Sequence, residues 1–122
     1  MLYVIPTPIG NSQDITLRAL TLFKELDQFI CEDTRTFKKL LGMYEIDYSG
    51  KTFHSLTSYT NPGQLAHYHQ LFTENDVALV SEAGCPGLSD PGKVLVQYCV
   101  ENDVEYSVLP GANALVPAIV AA

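Results

Sequence analysis

The sequence holds 122 residues, 7 Lys and Arg against 14 Asp and Glu, a net charge of −7 and 47% apolar side chains. One domain with one buried core fits that length and composition, which excludes intrinsic disorder. The acidic balance excludes whole-surface attraction to nucleic acid, so any RNA or DNA contact needs a local basic patch.

Leu2 to Ile5 is a short β-rich run that Pro6 ends, and Pro6, Pro8 and Gly10 make a turn. Asp14 or Thr16 caps a helix on which Leu17, Leu20, Phe23 and Leu26 recur at helical spacing. Gln28 to Cys31 reads as a second strand. A second helix follows, capped by Asp33 or Thr34, with Phe37, Leu40, Leu41 and Tyr44 on its apolar stripe. Thr52 to Ser55 is a weak third strand. Asn61, Pro62 and Gln64 combine a cap, a first-turn proline and a capping-box residue, and Leu65, Tyr68 and Phe72 supply that helix's buried face. Val77 to Val80 is apolar on both faces, as a central parallel strand requires. Asp90-Pro91 starts a further helix with Val94, Leu95, Tyr98 and Cys99 along one side. Glu105 to Leu109 is a fifth strand, broken by Pro110-Gly111, and a small-residue segment runs to Ala122.

Five β-α repeats predict an α/β fold: a single three-layer domain with a mostly parallel sheet of about five strands and helices on both faces. Ligands of such sheets bind at the carboxyl ends of the strands. Three segments there, Pro6 to Asp14, Ser81 to Gly92 and Pro110 to Ala114, become the candidate site loops. Gly87 to Val94 imitates a phosphate loop, but Val94 supplies no hydroxyl, Pro91 no amide donor, and Asp90 puts a negative charge where phosphate would sit. No G-x-G-x-x-G follows the first strand.

Ser81, Glu82, Ala83, Gly84 and Cys85 directly follow the buried fourth strand. They read either as a plain strand-to-helix turn or as a ligand loop whose carboxylate accepts from ribose or amine donors. Cys85 has no base paired with it by spacing, so a lining thiol is the simpler reading. Glu32-Asp33-Thr34-Arg35 closes the second strand and reads equally as a helix cap with a solvated arginine or as a functional cluster. Arg35, Lys38, Lys39 and Arg18 put four of the seven basic residues in the first third of the chain, a cluster able to hold a phosphate backbone or simply a solvated helix face. His54, His67 and His69 show no ligand spacing, and no metal site is expected. Three cysteines without paired spacing argue against disulfides and zinc, and no apolar run reaches the ~20 residues of a membrane span. With no leader pattern either, a cytoplasmic protein is expected.

Thr7 to Asn11, Asp14 to Leu20, Glu32 to Arg35, Ser81 to Pro86 with Ser89 to Gly92, and Pro110-Gly111 together resemble the tetrapyrrole (corrin/porphyrin) methylase superfamily. Within it, the chain resembles the enzymes that methylate a cytidine ribose 2′-hydroxyl of small-subunit ribosomal RNA. The resemblance implies S-adenosylmethionine as cofactor, RNA as partner, a homodimer, and a fold of two α/β domains with the cofactor in the cleft between them. Residues 1–122 then correspond to the N-terminal domain, with the C-terminal domain absent and this chain alone inactive or nearly so. Carried over by position, Pro8, Ser81, Glu82, Ala83, Gly84, Cys85, Gly111, Ala112 and Asn113 bind the cofactor, and Glu32, Asp33 and Arg35 face the RNA as substrate-positioning or proton-accepting groups. Glu82 stands where the family has Asp, Cys85 where it has Thr, and Ala112-Asn113 where it has Pro-Ser. The competing readings are a non-catalytic α/β binding or dimerisation module and a relative in the same superfamily with another acceptor.

Overall fold

A computed structural model describes residues 1–5, 15–56, 62–80 and 92–109. Nine elements alternate along them: β1 (Leu2–Val4), α1 (Leu17–Glu25), β2 (Gln28–Cys31), α2 (Thr34–Met43), β3 (Thr52–Ser55), α3 (Pro62–Glu74), β4 (Val77–Val80), α4 (Gly92–Glu101) and β5 (Tyr106–Val108). The strands form one sheet in the order β3-β2-β4-β1-β5, and all four pairings are parallel. The expected three-layer α/β architecture is therefore present.

Side-chain alternation along the strands builds two cores. Phe29, Cys31, Ala78, Val80 and Leu109 turn to one side, where they meet Ala19 and Phe23 of α1 and Phe37 and Leu41 of α2. Leu2, Val4, Ile30, Val77 and Leu79 turn to the other, against Tyr68 and Phe72 of α3 and Leu95 and Cys99 of α4. β4 is buried along its whole length because it is central and covered on both faces, which explains its unbroken Val-Ala-Leu-Val run. β3 is an edge strand and mixes exposed with half-buried positions, hence its weak sequence signal.

Local chemistry sets the helix ends. Thr16, rather than Asp14, caps α1: its Oγ1 accepts from the Ala19 amide at 3.1 Å. Lys51 closes the other end of α1 from a distant point in the chain, donating to the carbonyls of Lys24 and Leu26 with its side chain only 5% exposed. Leu17 departs from the expected stripe. It occupies the first helical position at 83% exposure, and the buried line runs instead through Ala19, Phe23 and Leu26. The helix is turned so that the small Ala19, one position before Leu20, seats against the sheet. α4 begins at Gly92, and the Asp90-Pro91 start expected for it lies outside the described residues.

Because every strand is parallel, Ile5, Cys31, Ser55, Val80 and Leu109 reach a common carboxyl edge. Chains leaving β1 and β2 enter the α1/α2 layer, and chains leaving β3 and β4 enter the α3/α4 layer. β4 thus lies between two strands whose chains depart to the opposite face. That reversal of direction is the topological switch point at which open α/β sheets hold ligands.

Candidate active site at the carboxyl edge of the sheet

The described part of this edge is the segment joining β2 to α2. β2 brings the chain out beside β3, and the Glu32 carbonyl accepts from Ser55 Oγ at 3.5 Å, tying the two strand ends together. The Glu32 side chain is partly buried. Asp33 is the N-cap of α2, with extended backbone and an Oδ1 that accepts from the Arg35 amide at 2.9 Å and the Thr36 amide at 3.3 Å. The Thr36 amide foremost, with the Arg35 amide and guanidinium also contributing, holds the Asp33 carboxyl below its ordinary value. The capping role weighed for Asp33 in the sequence is therefore real, and Thr34 is the first residue of the helix instead of its cap.

Arg35 is exposed and, with Asp33, Thr36 and Lys39, lines an open hollow of about 300 Å³. Arg35, Lys38 and Lys39 follow i, i+3, i+4 spacing, so they share one face of α2 while Phe37 and Leu41 enter the core. Lys38 leans toward the sheet edge, its Nζ 5.0 Å from the Phe53 ring centroid and 5.9 Å from that of Tyr48. The structure therefore brings Glu32, Asp33 and Arg35 together at the expected edge. Pro8, Ser81, Glu82, Ala83, Gly84, Cys85, Gly111, Ala112 and Asn113 lie outside the described residues.

Other titratable groups have structural surroundings. Cys31 is buried, and desolvation, reinforced by the Asp33 charge, pushes its thiol up to about 12. A thiol so protonated is no nucleophile. Burial likewise pushes Cys99 up to about 11. His54 Nε2 lies 3.0 Å from Gln28 Oε1, and its ring is 6.0 Å from that of His67, a pairing that β3 and α3 create by tertiary contact. Spacing alone misses it, since 13 positions separate the two histidines. His69 faces the other way and meets Tyr98 Oη at 2.8 Å. Among the described residues no group of three His, Cys, Asp or Glu side chains is placed to hold a metal ion. A second hollow, of about 260 Å³, lies at the opposite edge of the sheet beside Met1, Thr73 and Glu105, away from the strand ends that form the site.

The sequence profile of the Tetrapyrrole (Corrin/Porphyrin) Methylases matches residues 1–122. Ribosomal RNA small subunit methyltransferase I of Hydrogenobaculum sp. (strain Y04AAS1) is 45% identical over 123 residues, covering 98% of this chain and 51% of that protein. The protein of the same name from Helicobacter pylori (strain ATCC 700392 / 26695) is 40% identical over 132 residues, covering 99% and 46%. Among solved structures, uroporphyrin-III C-methyl transferase from Thermus thermophilus complexed with S-adenyl homocysteine superposes with a TM-score of 0.66 at 16% identity. It covers 96% of this chain and 47% of that one. A cobalamin synthesis related protein (CobF) from Corynebacterium diphtheriae gives 0.60 at 18% identity, covering 94% and 54%. These structures share the fold. The chain spans about half the length of the curated relatives it matches.

Proposed function

The chain belongs to the Tetrapyrrole (Corrin/Porphyrin) Methylases, and from that premise we propose that it is the N-terminal, cofactor-binding domain of an S-adenosylmethionine-dependent methyltransferase. The proposed acceptor is the ribose 2′-hydroxyl of a cytidine in small-subunit ribosomal RNA. The observation that carries this reading is identity of 40–45% over nearly the whole chain to proteins named for methylating that RNA. The proposal extends to a second, C-terminal domain that closes the cleft, and to a cytoplasmic homodimer as the working form. For this chain itself, no described helix is long and apolar enough to cross a membrane.

The carboxyl edge fits the cofactor in topology and in donor chemistry. β4, β1 and β5 are neighbours whose ends, Val80, Ile5 and Leu109, share the carboxyl edge of the sheet. The segments that leave those ends supply Pro8, the Ser81–Cys85 run, Gly111, Ala112 and Asn113. The Glu82 carboxylate suits an amine or a ribose hydroxyl, and Gly84 and Gly111 let a ligand approach the backbone closely. Bound there, S-adenosylmethionine supplies an electrophilic sulfonium methyl.

The chain's own task is to orient the acceptor and take its proton, since orientation provides most of the gain in such a displacement. Two carboxylates stand at the mouth of the site. Asp33 is engaged by two backbone amides and held in its ionised form, which makes it a weak base. Glu32, partly buried where β2 ends, is the residue assigned to receive the 2′-hydroxyl proton, while Asp33 fixes the start of α2 and Arg35 meets a substrate phosphate.

Methyl transfer to small-subunit RNA by the complete protein tests this division of labour. Glu32→Gln is expected to lower the rate by about 10²- to 10⁴-fold. Asp33→Ser, which keeps an N-cap oxygen, is expected to stay within a few-fold of the parent. A Glu32→Gln enzyme as fast as the parent would overturn the assignment.

A further inference from the structure

The acidic side chains are unevenly distributed along the strand axis. Each helix-to-strand turn carries acids: Glu25 and Asp27 before β2, Glu45 and Asp47 before β3, Glu74 and Asp76 before β4, and Glu101, Asp103 and Glu105 before β5. They make nine of the fourteen acidic residues, and all stand toward the amino edge of the sheet. Arg18 and Arg35 instead occupy second positions of helices, and Lys38 and Lys39 the middle of α2, while Lys24 and Lys51 stand with the acids at the amino edge and leave it strongly negative. Parallel topology points every helix N-terminus at the carboxyl edge. No helix has an acid in its first turn, and α2, α3 and α4 have no base in their last. At the ends of α3 and α4 this is the reverse of the placement that stabilises helices, because it adds to the backbone dipoles, whereas Asp33 at the start of α2 and Lys24 and Lys51 at the end of α1 oppose theirs. Helix stability does not explain it. A field directed along the strands does follow from it, with the negative charge gathered at the amino edge.

We propose that this polarity orients RNA on the protein: the polyanion is driven to the carboxyl edge, and the α2 face of Arg35, Lys38 and Lys39 grips its sugar-phosphate backbone. The proposal rests on the reading that RNA is the methyl acceptor, and it names where the backbone lies. Arg35 and Lys39 line one hollow with Asp33, directly beyond the Glu32 carboxylate in the chain. Lys38 carries the cationic track sideways toward β3, held over the rings of Phe53 and Tyr48. A backbone following these groups runs from the site toward the β3 edge. Contacts of this kind are to phosphates, so they position the substrate without reading bases.

Fluorescence anisotropy with a single-stranded oligocytidine RNA, across a salt series, tests the track on this chain. The parent is expected to bind at low salt, and the Lys38→Gln/Lys39→Gln variant to bind more weakly, with a log K against log[salt] slope shallower by about 1 to 2. An Asp76→Asn/Asp103→Asn variant at the far edge is expected to lose no affinity. The matched deoxycytidine strand is expected to give the parent's slope, and a slope confined to RNA would overturn the phosphate assignment. Equal binding and slope in the parent and the double-lysine variant would overturn the track, as would a parent that binds no RNA at low salt. S-adenosylhomocysteine titration of the same samples separates the two levels. Intact cofactor binding with an overturned track leaves the methyltransferase reading standing, and loss of both, repeated with the complete protein, removes it.

Discussion

Asp33 commits its oxygen to two amides, which fixes where α2 begins and lowers the basicity of its own carboxylate. Its neighbour Cys31 points into the core, where burial pushes the thiol up to about 12, so the strand end offers a carboxylate and no sulfur nucleophile. His54 supplies a pH response. Burial first, then the neighbouring His67, lowers its pKa, while in the unfolded chain it takes up a proton near pH 6.5. A lowered folded pKa means that the unfolded state binds more protons as pH falls. Stability is therefore full above about pH 6.5 and declines below it toward the folded pKa. Thermal midpoints at pH 7.5 and 5.5 are expected to show a larger drop in the parent than in His54→Gln, and equal drops would contradict the role given to this ring.

The elements are largely legible in the sequence, because their signals are local. Strand β4 announces itself by four apolar residues in a row, and α2 by a cap followed by apolar positions at helical spacing. Leu17 was not legible, since periodicity gives a stripe without its rotation, and the sheet seats Ala19 in its place. The closure of α1 by Lys51 was equally hidden, for no spacing rule links a helix end to a lysine more than twenty positions later. Packing energy separates these cases. Phe29 is fully buried among Phe23, Phe37 and Phe53, with ring centroids 5.3 to 6.3 Å away. Phe29→Ala is expected to cost about 3–5 kcal/mol in urea unfolding. Leu17→Ser is expected to stay within about 0.5 kcal/mol of the parent, as an exposed position should. Comparable losses at both positions would contradict the observed rotation of α1.

At the scale of the whole molecule, a parallel sheet gathers its strand ends, its helix N-termini and its candidate site at one edge. The edge itself followed from the β-α repeat, as did the meeting of Glu32, Asp33 and Arg35. The choice of Asp33 over Thr34 as the cap of α2 did not, because it depends on which oxygen reaches the helix amides. The uneven distribution of the acids was hidden for a different reason. A net charge of −7 says nothing about position, and the acids gather at one edge only when the topology aligns all four helix-to-strand turns. Calorimetric titration of S-adenosylhomocysteine into the protein tests most directly whether this edge holds S-adenosylmethionine. Saturable binding that Gly84→Val or Gly111→Val abolishes is the predicted result. Absence of binding in both this chain and the longer protein would contradict it.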